Sequence, residues 1–205
     1  MKKLESSLLN MIVVLTLVSV ITGGLLAAVN SVTEGPIQEQ KEKALSDGIK
    51  AVMGEETITV TGEDKKMSNI DGKEREYIIH HVANANGEEI GVAVESASQG
   101  FSGDVKILVG FDKEGTILGY TILEHAETPG LGARATDWFQ KGQKGDIIGQ
   151  QPSKAELKVK KAEGNIDAIT AATITSKAFL KAVNNAYKVY AQQGADAESG
   201  ATKQN

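Results

Sequence analysis

Four hydroxyl side chains stand within seven positions, immediately before a strong helical pattern, in the stretch NIDAITAATITSKAFLKAVNNAY. They are Thr170, Thr173, Thr175 and Ser176. A helix start needs one N-cap hydroxyl, whose oxygen accepts a bond from a backbone N–H that has no partner inside the helix. Two interpretations remain for the three other hydroxyls. They are exposed side chains of an ordinary capped helix, or they bind a ligand.

A second loop with chemical potential is EHAETPGLGARATDWF, which follows an apolar, β-rich run. Pro129 lies between Thr128 and the pair Gly130 and Gly132. This order of residues is typical of a tight turn that begins a helix. Glycine also allows the backbone to approach a flat ligand closely, so the loop alone leaves both interpretations open.

Other familiar signatures fail on a specific requirement. The sequence GLGARA at 130–135 fits a dinucleotide-binding glycine pattern, but the strands before it are predicted to form hairpins and no acidic residue follows at the required distance. His125 and Glu127 form H-x-E, yet a zinc deaminase also needs cysteines. His80 and His81 are adjacent on a predicted strand, so they point to opposite faces and cannot chelate one metal together.

Composition limits the classes of partner and cofactor. The 205 residues carry a formal net charge of −5, which disfavours nucleic acid as a partner. The chain contains no cysteine, so it cannot hold a thiolate-ligated iron–sulfur cluster, a thioether-linked haem or a lipid anchor on cysteine. Any redox cofactor would therefore be organic.

The N-terminal region is predicted to span a membrane. No charged residue occurs between Ser6 and Thr33, and the apolar run at 8–29 is long enough to cross a bilayer. A cleaved signal peptide is the alternative, but its apolar region is usually shorter and ends in small residues. Lys2 and Lys3 precede the span, which predicts a cytoplasmic N-terminus at 1–7 and an extracytoplasmic remainder.

Beyond the span, periodicity predicts an α+β fold. A membrane-proximal amphipathic helix at 30–56 continues from the membrane, and a folded domain follows at 57–192. The links NANG and DKEG join four of its strands into two antiparallel hairpins. The predicted strands begin at 57, 76, 89, 104 and 116, and the predicted helices cover 134–141 and 175–192. The small, polar residues 193–205 are predicted to be disordered.

Two motifs carry a resemblance to a known family. DAITAATITS at 167–176 resembles the signature of FMN-binding domains whose flavin is joined through its phosphate to a threonine side chain. GYTILEHAETPGLGARA resembles the second signature of these domains, especially in the G subunit of Rnf electron-transport complexes. The similarity covers about 87–190, and the single N-terminal span is in the expected place.

The resemblance implies a role for each residue of the first motif. Thr173 would carry covalent FMN, and Thr170 would fill the usual serine or threonine position. Ala172 belongs to the same core, Ala171 stands where glycine is more usual, and Asp167 heads the motif as a recognition residue for a flavin transferase. Thr175 and Ser176 would cap the helix or donate to phosphate oxygens. The second motif would border the flavin ring, with Leu131 packing on it and the backbone of Gly130 and Gly132 close to its polar edge. Glu127 and Thr128 would either shape this loop or bond to the flavin.

The family also implies a function. We expect a flavoprotein electron carrier in the cytoplasmic membrane, one subunit of an Rnf-type complex that couples electron flow between ferredoxin and NAD to ion movement. Its partners would be the other subunits and a flavin transferase, and it would have no catalytic activity alone. The alternatives are the C subunit of sodium-translocating NADH:quinone reductase, which shares the module, and a membrane-tethered structural domain without flavin.

Overall fold

The computed structural model describes residues 8–55, 57–70 and 72–199. In this part of the chain, three α-helices and five strands form an α+β architecture, which confirms the predicted fold class. The helices are α1 (Leu8–Met53), α2 (Ala135–Trp138) and α3 (Thr173–Ser199), and the strands are β1 (Ile58–Asn69), β2 (Glu74–Asn84), β3 (Glu89–Gln99), β4 (Asp104–Asp112) and β5 (Ile117–Glu124). Short 3-10 helices cover Gly132–Arg134 and Lys160–Ala162.

Helix α1 is continuous over 46 residues and contains Pro36. The spanning segment predicted at 8–29 and the membrane-proximal helix predicted at 30–56 are therefore parts of one helix, which ends at Met53. Its apolar part has a mean hydropathy of 2.5 over 18 residues with no burial, so it is long and apolar enough to cross a membrane. The chain divides into two compact units between Ala44 and Leu45. The predicted cytoplasmic segment 1–7 lies outside the described residues.

The five strands form one antiparallel sheet in the order β1-β2-β3-β4-β5. Both predicted hairpins are present, since β2 pairs with β3 and β4 with β5. Strand β1 extends beyond the predicted run TITV. The sequence did not indicate this extension, because the second half of the strand, GEDKKMSN, is polar and lacks apolar alternation. It nevertheless pairs with β2 as far as Asn69, opposite Glu74.

The main core lies between one face of the sheet and α3. Val105, Ile107, Val109 and Phe111 of β4 are all buried on this face, as the alternation predicted. Helix α3 contributes its own apolar side, whose largest buried side chain is that of Phe179. Tyr120 of β5 fastens α2 to the sheet, because its hydroxyl donates to Ala135 O at 2.7 Å.

The opposite face of the sheet is covered by the last turns of α1. Ile49, Val52 and Met53 pack with buried side chains of the sheet, among them Leu108. Two glycines allow this close approach: a Cβ at Gly119 would lie 2.8 Å from Val52 O, and one at Gly110 would lie 2.7 Å from it. The glycines thus set the distance between helix and sheet.

Two helix predictions need correction. The helix predicted at 134–141 is a 3-10 turn followed by α2, which ends at Trp138. Helix α3 begins at Thr173 and ends at Ser199, whereas the prediction was 175–192. The predicted disordered tail at 193–205 is therefore helical as far as Ser199, where it continues the last turns of α3, because extending an existing helix is easier than starting one. Residues 200–205 lie outside the described part of the chain.

The packing of α1 on the sheet generates a stability prediction. Gly119→Ala should lower the free energy of unfolding by about 1–3 kcal/mol, because the added methyl would overlap the backbone of Val52. Gly62→Ala is the matched control, since its Cβ would have His81 as its nearest neighbour at an ordinary 3.7 Å. Urea denaturation of both full-length variants in detergent measures the difference. Equal losses would contradict the close contact.

Candidate cofactor site

A cleft of about 370 Å³ lies where three segments of the fold meet. The segments are the β3–β4 loop, the loop after β5 and the N-terminus of α3. Seven residues predicted from the two motifs line it together: Glu127, Thr128, Leu131, Gly132, Ala172, Thr173 and Thr175. Thr170, Gly130, Ser176 and Asp167 were also predicted, and they are not among the lining residues.

The carboxylate of Glu127 joins the three segments. Its Oε1 accepts hydrogen bonds from the backbone N–H groups of Phe101 at 2.8 Å and Ser102 at 2.9 Å. Its Oε2 accepts a bond from the Thr175 hydroxyl at 2.5 Å. The sequence left two roles open for Glu127, shaping the loop or bonding a ligand. Because protein donors hold both oxygens of this buried side chain, the geometry favours the shaping role.

Two glycines make room for the Glu127 side chain. A Cβ at Gly132 would lie 2.5 Å from Oε2, and one at Gly100 would lie 2.5 Å from Oε1. Any side chain at either position would collide with a carboxylate that is already fixed by its hydrogen bonds. Gly132 therefore lines the cleft as a structural requirement of the Glu127 contact.

The segment Thr128–Leu131 forms a tight turn at the rim of the cleft. Thr128 O accepts a bond from Leu131 N–H at 3.1 Å, and Gly130 has a φ of 75°. Proline followed by a residue with positive φ is the pattern of a type II turn. Gly130 is thus needed for its backbone conformation, and the turn presents Leu131, which is 42% exposed, beside the cleft.

The segment before α3 is held by Ser176. Its hydroxyl accepts a bond from Ile169 N–H and donates to Ala172 O, both at 2.9 Å. Ser176 is fully buried, and both of its bonds are to protein groups. Of the two roles that the resemblance implied, this geometry favours holding the start of the helix over donating to a phosphate. Ala171 has a left-handed φ of 62°, which explains why glycine suits this position better.

The four hydroxyls of the opening motif therefore have different environments. Those of Thr175 and Ser176 are buried and bonded to protein groups. Thr170 is exposed and lies outside the cleft lining. Thr173 is half-buried and lines the cleft, and its hydroxyl forms no hydrogen bond with any residue that the structure describes. Of the four, it is thus the one that is both uncommitted and directed to the cleft.

Thr173 is the first residue of α3, and Ala172 precedes it. The N–H groups of the first turn have no acceptors inside the helix, and alanine at the preceding position offers no side-chain oxygen. The N-terminus of α3 therefore opens into the cleft without a side-chain cap from Ala172. This terminus favours an anion through its free N–H groups and its dipole.

Three lining residues were not predicted to belong to the site, namely Phe101, Ala171 and Ile174. Phe101 in the β3–β4 loop is 69% exposed, and Ile174 in the first turn of α3 is 55% exposed. The sequence contains a signal for Phe101, because a large apolar side chain between Gly100 and Gly103 in a loop indicates a contact surface. Together with Leu131, these side chains give the cleft an exposed apolar rim.

Asp167 lies outside the cleft lining. Its side chain pairs with Lys160 Nζ at 2.8 Å and is 43% exposed. Its carbonyl oxygen accepts a bond from Trp138 Nε1 at 2.8 Å, which ties the motif to α2. An exposed carboxylate at this position is accessible to another protein.

The two histidines occupy opposite faces of β2, as the strand period predicted. His80 Nε2 lies 2.9 Å from Glu95 Oε1, whereas His81 Nε2 lies 3.1 Å from Asp64. Burial of Glu95 is outweighed by its hydrogen bonds to His80 and Lys106, which lower its pKa. Within the described residues, no group of three or more potential ligands is arranged to hold a metal ion.

The Glu127 contact generates a second prediction. Thr175→Val should lower the free energy of unfolding by about 1–3 kcal/mol, because it leaves a buried carboxylate oxygen without its donor. Thr170→Val is the control, since Thr170 is exposed. Chemical denaturation of the two full-length variants compares the losses. A loss at position 175 no larger than at position 170 would contradict a structural role for this bond.

Two family profiles match parts of this chain. A family profile described as FMN-binding domain matches residues 100–188, and one described as RnfG N-terminal region matches residues 1–52. NqrC of Shewanella oneidensis has a solved structure that is 22% identical, with a TM-score of 0.47 over 60% of this chain and 63% of that chain.

Two curated relatives illustrate the similarity in sequence. The G subunit of the ion-translocating oxidoreductase complex of Vibrio vulnificus is 35% identical over 80% of each chain. The G subunit of the Na⁺-translocating ferredoxin:NAD⁺ oxidoreductase complex of Acetobacterium woodii is 32% identical over 86% of this chain and 88% of the relative. The chain belongs to the family of G subunits of ion-translocating oxidoreductase complexes.

Proposed function

We propose that this protein is a membrane-anchored electron carrier that holds FMN through a phosphoester on Thr173. It serves as the G subunit of an Rnf-type complex, in which electron transfer is coupled to ion movement across the membrane. The FMN-binding profile and the names of the relatives support this assignment. The cleft supplies the observation on which the attachment site rests.

That observation is the position of the Thr173 hydroxyl. It lies at the start of α3, faces the cleft and is not committed to a protein partner among the described residues. A phosphoester on this oxygen would lie beside the free N–H groups of the first helical turn, which stabilise negative charge. Thr175 and Ser176 are already used for structure, so they are unsuitable as attachment points.

The attachment requires an activated donor and an enzyme. A threonine hydroxyl is a weak nucleophile, and no described residue is hydrogen-bonded to Thr173 as a base. A flavin transferase would supply the base and a flavin nucleotide with a phosphoanhydride bond. The threonine oxygen forms the new P–O bond, the phosphoanhydride breaks, the nucleotide leaves and the base takes the proton. Exposed Asp167 is the proposed recognition contact for that enzyme.

The apolar rim suits the flavin ring. Phe101, Leu131 and Ile174 lie around the cleft and would cover part of a flat aromatic ligand that would otherwise contact water. When bound, FMN supplies the electron transfer, while the chain positions the ring and excludes solvent. Glu127 acts indirectly here, since it fixes the loops that carry Phe101 and Leu131.

The proposed location is the extracytoplasmic side of the cytoplasmic membrane. Lys2 and Lys3 precede the apolar part of α1, and positive charge flanking a span is retained in the cytoplasm. The folded unit that begins at Leu45 would then lie outside.

In-gel flavin fluorescence tests the attachment site. Thr173→Ala should abolish the fluorescent band, because it removes the acceptor oxygen, and it should cost little stability at the first position of a helix. Thr170→Ala is the matched control and should label fully. Both variants need export and a flavin transferase in the same host.

Two outcomes would contradict the proposal in different ways. Peptide mass mapping that placed the flavin on Thr170, Thr175 or Ser176 would overturn Thr173 while preserving the flavoprotein function. A wild-type chain without covalent flavin, in a host that labels a known substrate of the transferase, would favour the structural, flavin-free alternative.

Reporter fusions test the orientation. Alkaline phosphatase fused after Asn205 should be active, because this enzyme folds only outside the cytoplasm. A green fluorescent protein fused at the same position should be dark, because it does not become fluorescent when it is exported in an unfolded state. The fusion to residue 7 should show the reverse pattern. A bright fluorescent reporter after Asn205 would place the domain in the cytoplasm.

A further inference from the structure

Positively charged side chains cluster along the exposed side of α3. They line two neighbouring cavities of about 310 and 280 Å³ that share Lys177 and Lys181. We call this surface the basic face, and it consists of Lys73, Arg75, Lys158, Lys177, Lys181 and Lys188. It is distinct from the cofactor cleft, whose described lining residues include no lysine or arginine.

The basic face is an exception within an acidic protein. The whole chain has a formal charge of −5, yet Glu156 is the one carboxylate among the described residues that line the two cavities. Glu156 pairs with Lys158 at 2.9 Å, and Asp104 outside the cavities pairs with Arg75 at 3.1 Å. Even with both pairs neutralised, and with Lys181 left out because it has an interaction of its own, Lys73, Lys177 and Lys188 give the face an excess of positive charge. Such a local excess attracts a partner of opposite charge.

The length of the basic face favours a protein as that partner. Lys177 and Lys188 are separated by about 16 Å along the helix at ~1.5 Å per residue. A small anion cannot contact cations spread over this distance, whereas a protein surface with several carboxylates can. Complementary charges of this kind mainly increase the rate of association and orient the partner.

The face also meets the cofactor cleft. Ile174 lines both the cleft and the cavity formed by Lys73, Arg75, Lys177 and Lys181. A protein bound to the basic face would therefore lie against the exposed apolar rim of the cleft. Because electron transfer slows steeply with distance, this arrangement suits a redox partner better than a purely structural one.

We propose that the basic face docks a carboxylate-rich surface of an electron-transfer protein, which exchanges electrons with the flavin in the adjoining cleft. The inference rests on the proposed function, because it requires flavin on this chain. Beyond that function, the inference specifies where the partner binds and which charge its surface carries. The alternative occupant of the basic face is an anionic lipid surface. Measuring the binding of the protein to lipid vesicles distinguishes this alternative from a protein partner.

The test uses the flavin-loaded full-length chain in detergent and an acidic plant-type ferredoxin as probe. Two reduced ferredoxins each lose one electron, and one FMN takes up both together with protons from water. We expect Lys73→Glu/Lys188→Glu, with one change in each cavity, to lower the second-order rate of flavin reduction about tenfold at low salt. The difference should largely disappear at ~1 M salt, where the Debye length falls to ~3 Å.

The control carries the same change in charge elsewhere. Lys65→Glu/Lys113→Glu alters strand β1 and the β4–β5 turn, which line neither the basic face nor the cleft. Its rate should stay within about twofold of the wild type, since net charge alone acts weakly at a distance. In-gel fluorescence is measured on all three proteins, so that the rates refer to equal amounts of flavin.

Three results would overturn the docking site. The first is an equal rate for the two flavin-loaded double variants. The second is a loss of rate that persists at high salt, which would indicate altered folding. The third is an unchanged ferredoxin rate together with lost binding to phosphatidylglycerol vesicles, which would identify a lipid surface. Absence of covalent flavin from the wild type would instead contradict the proposed function itself.

Discussion

The buried carboxylate of Glu127 is the contact on which the cleft depends. A carboxylate removed from water is costly unless donors replace its hydration, and here the N–H groups of Phe101 and Ser102 and the hydroxyl of Thr175 do so. These donors belong to two segments that are distant in sequence from Glu127 and from each other. One side chain thus fixes the positions of the β3–β4 loop, the loop after β5 and the first turn of α3. The shape of the cleft follows from that arrangement.

Hydrogen bonding at the start of α3 distinguishes the roles of three of the four hydroxyls. Thr175 is used by Glu127, and Ser176 stabilises the turn that carries Ala171 in its left-handed conformation. Both hydroxyls are therefore bonded to protein groups. Thr173 remains, at a helix terminus that lacks a side-chain cap from Ala172. A capping serine at position 172 would have satisfied the N–H groups of the first turn internally, and it would have reduced their capacity to bind an anion.

The sheet was predictable because its signals are local. Alternation in β4 and turn residues such as NANG and DKEG define strands and hairpins over a few positions. The polar end of β1 has no such signal and forms only because β2 provides a partner. The start of α3 lies two residues before the predicted one, because Thr175 resembles a local cap in the sequence. Its actual partner, Glu127, is 48 residues away, and such a contact cannot be read from spacing. The bond between Phe101 N–H and Glu127 also joins distant parts of the sequence, although the large apolar side chain between two glycines was a local signal for Phe101.

The two ends of α3 differ in what they offer to other molecules. At its start, partial positive charge comes from backbone dipoles and is confined to the first turn, where it acts on a group held within the cleft. Further along, Lys177 and Lys188 carry full charges on exposed side chains, so they act over a Debye length on a surface that approaches from solvent. Because the first effect is local and the second is long-ranged, a bound phosphate need not neutralise the basic face. One helix can therefore hold an anionic cofactor and still attract an acidic partner.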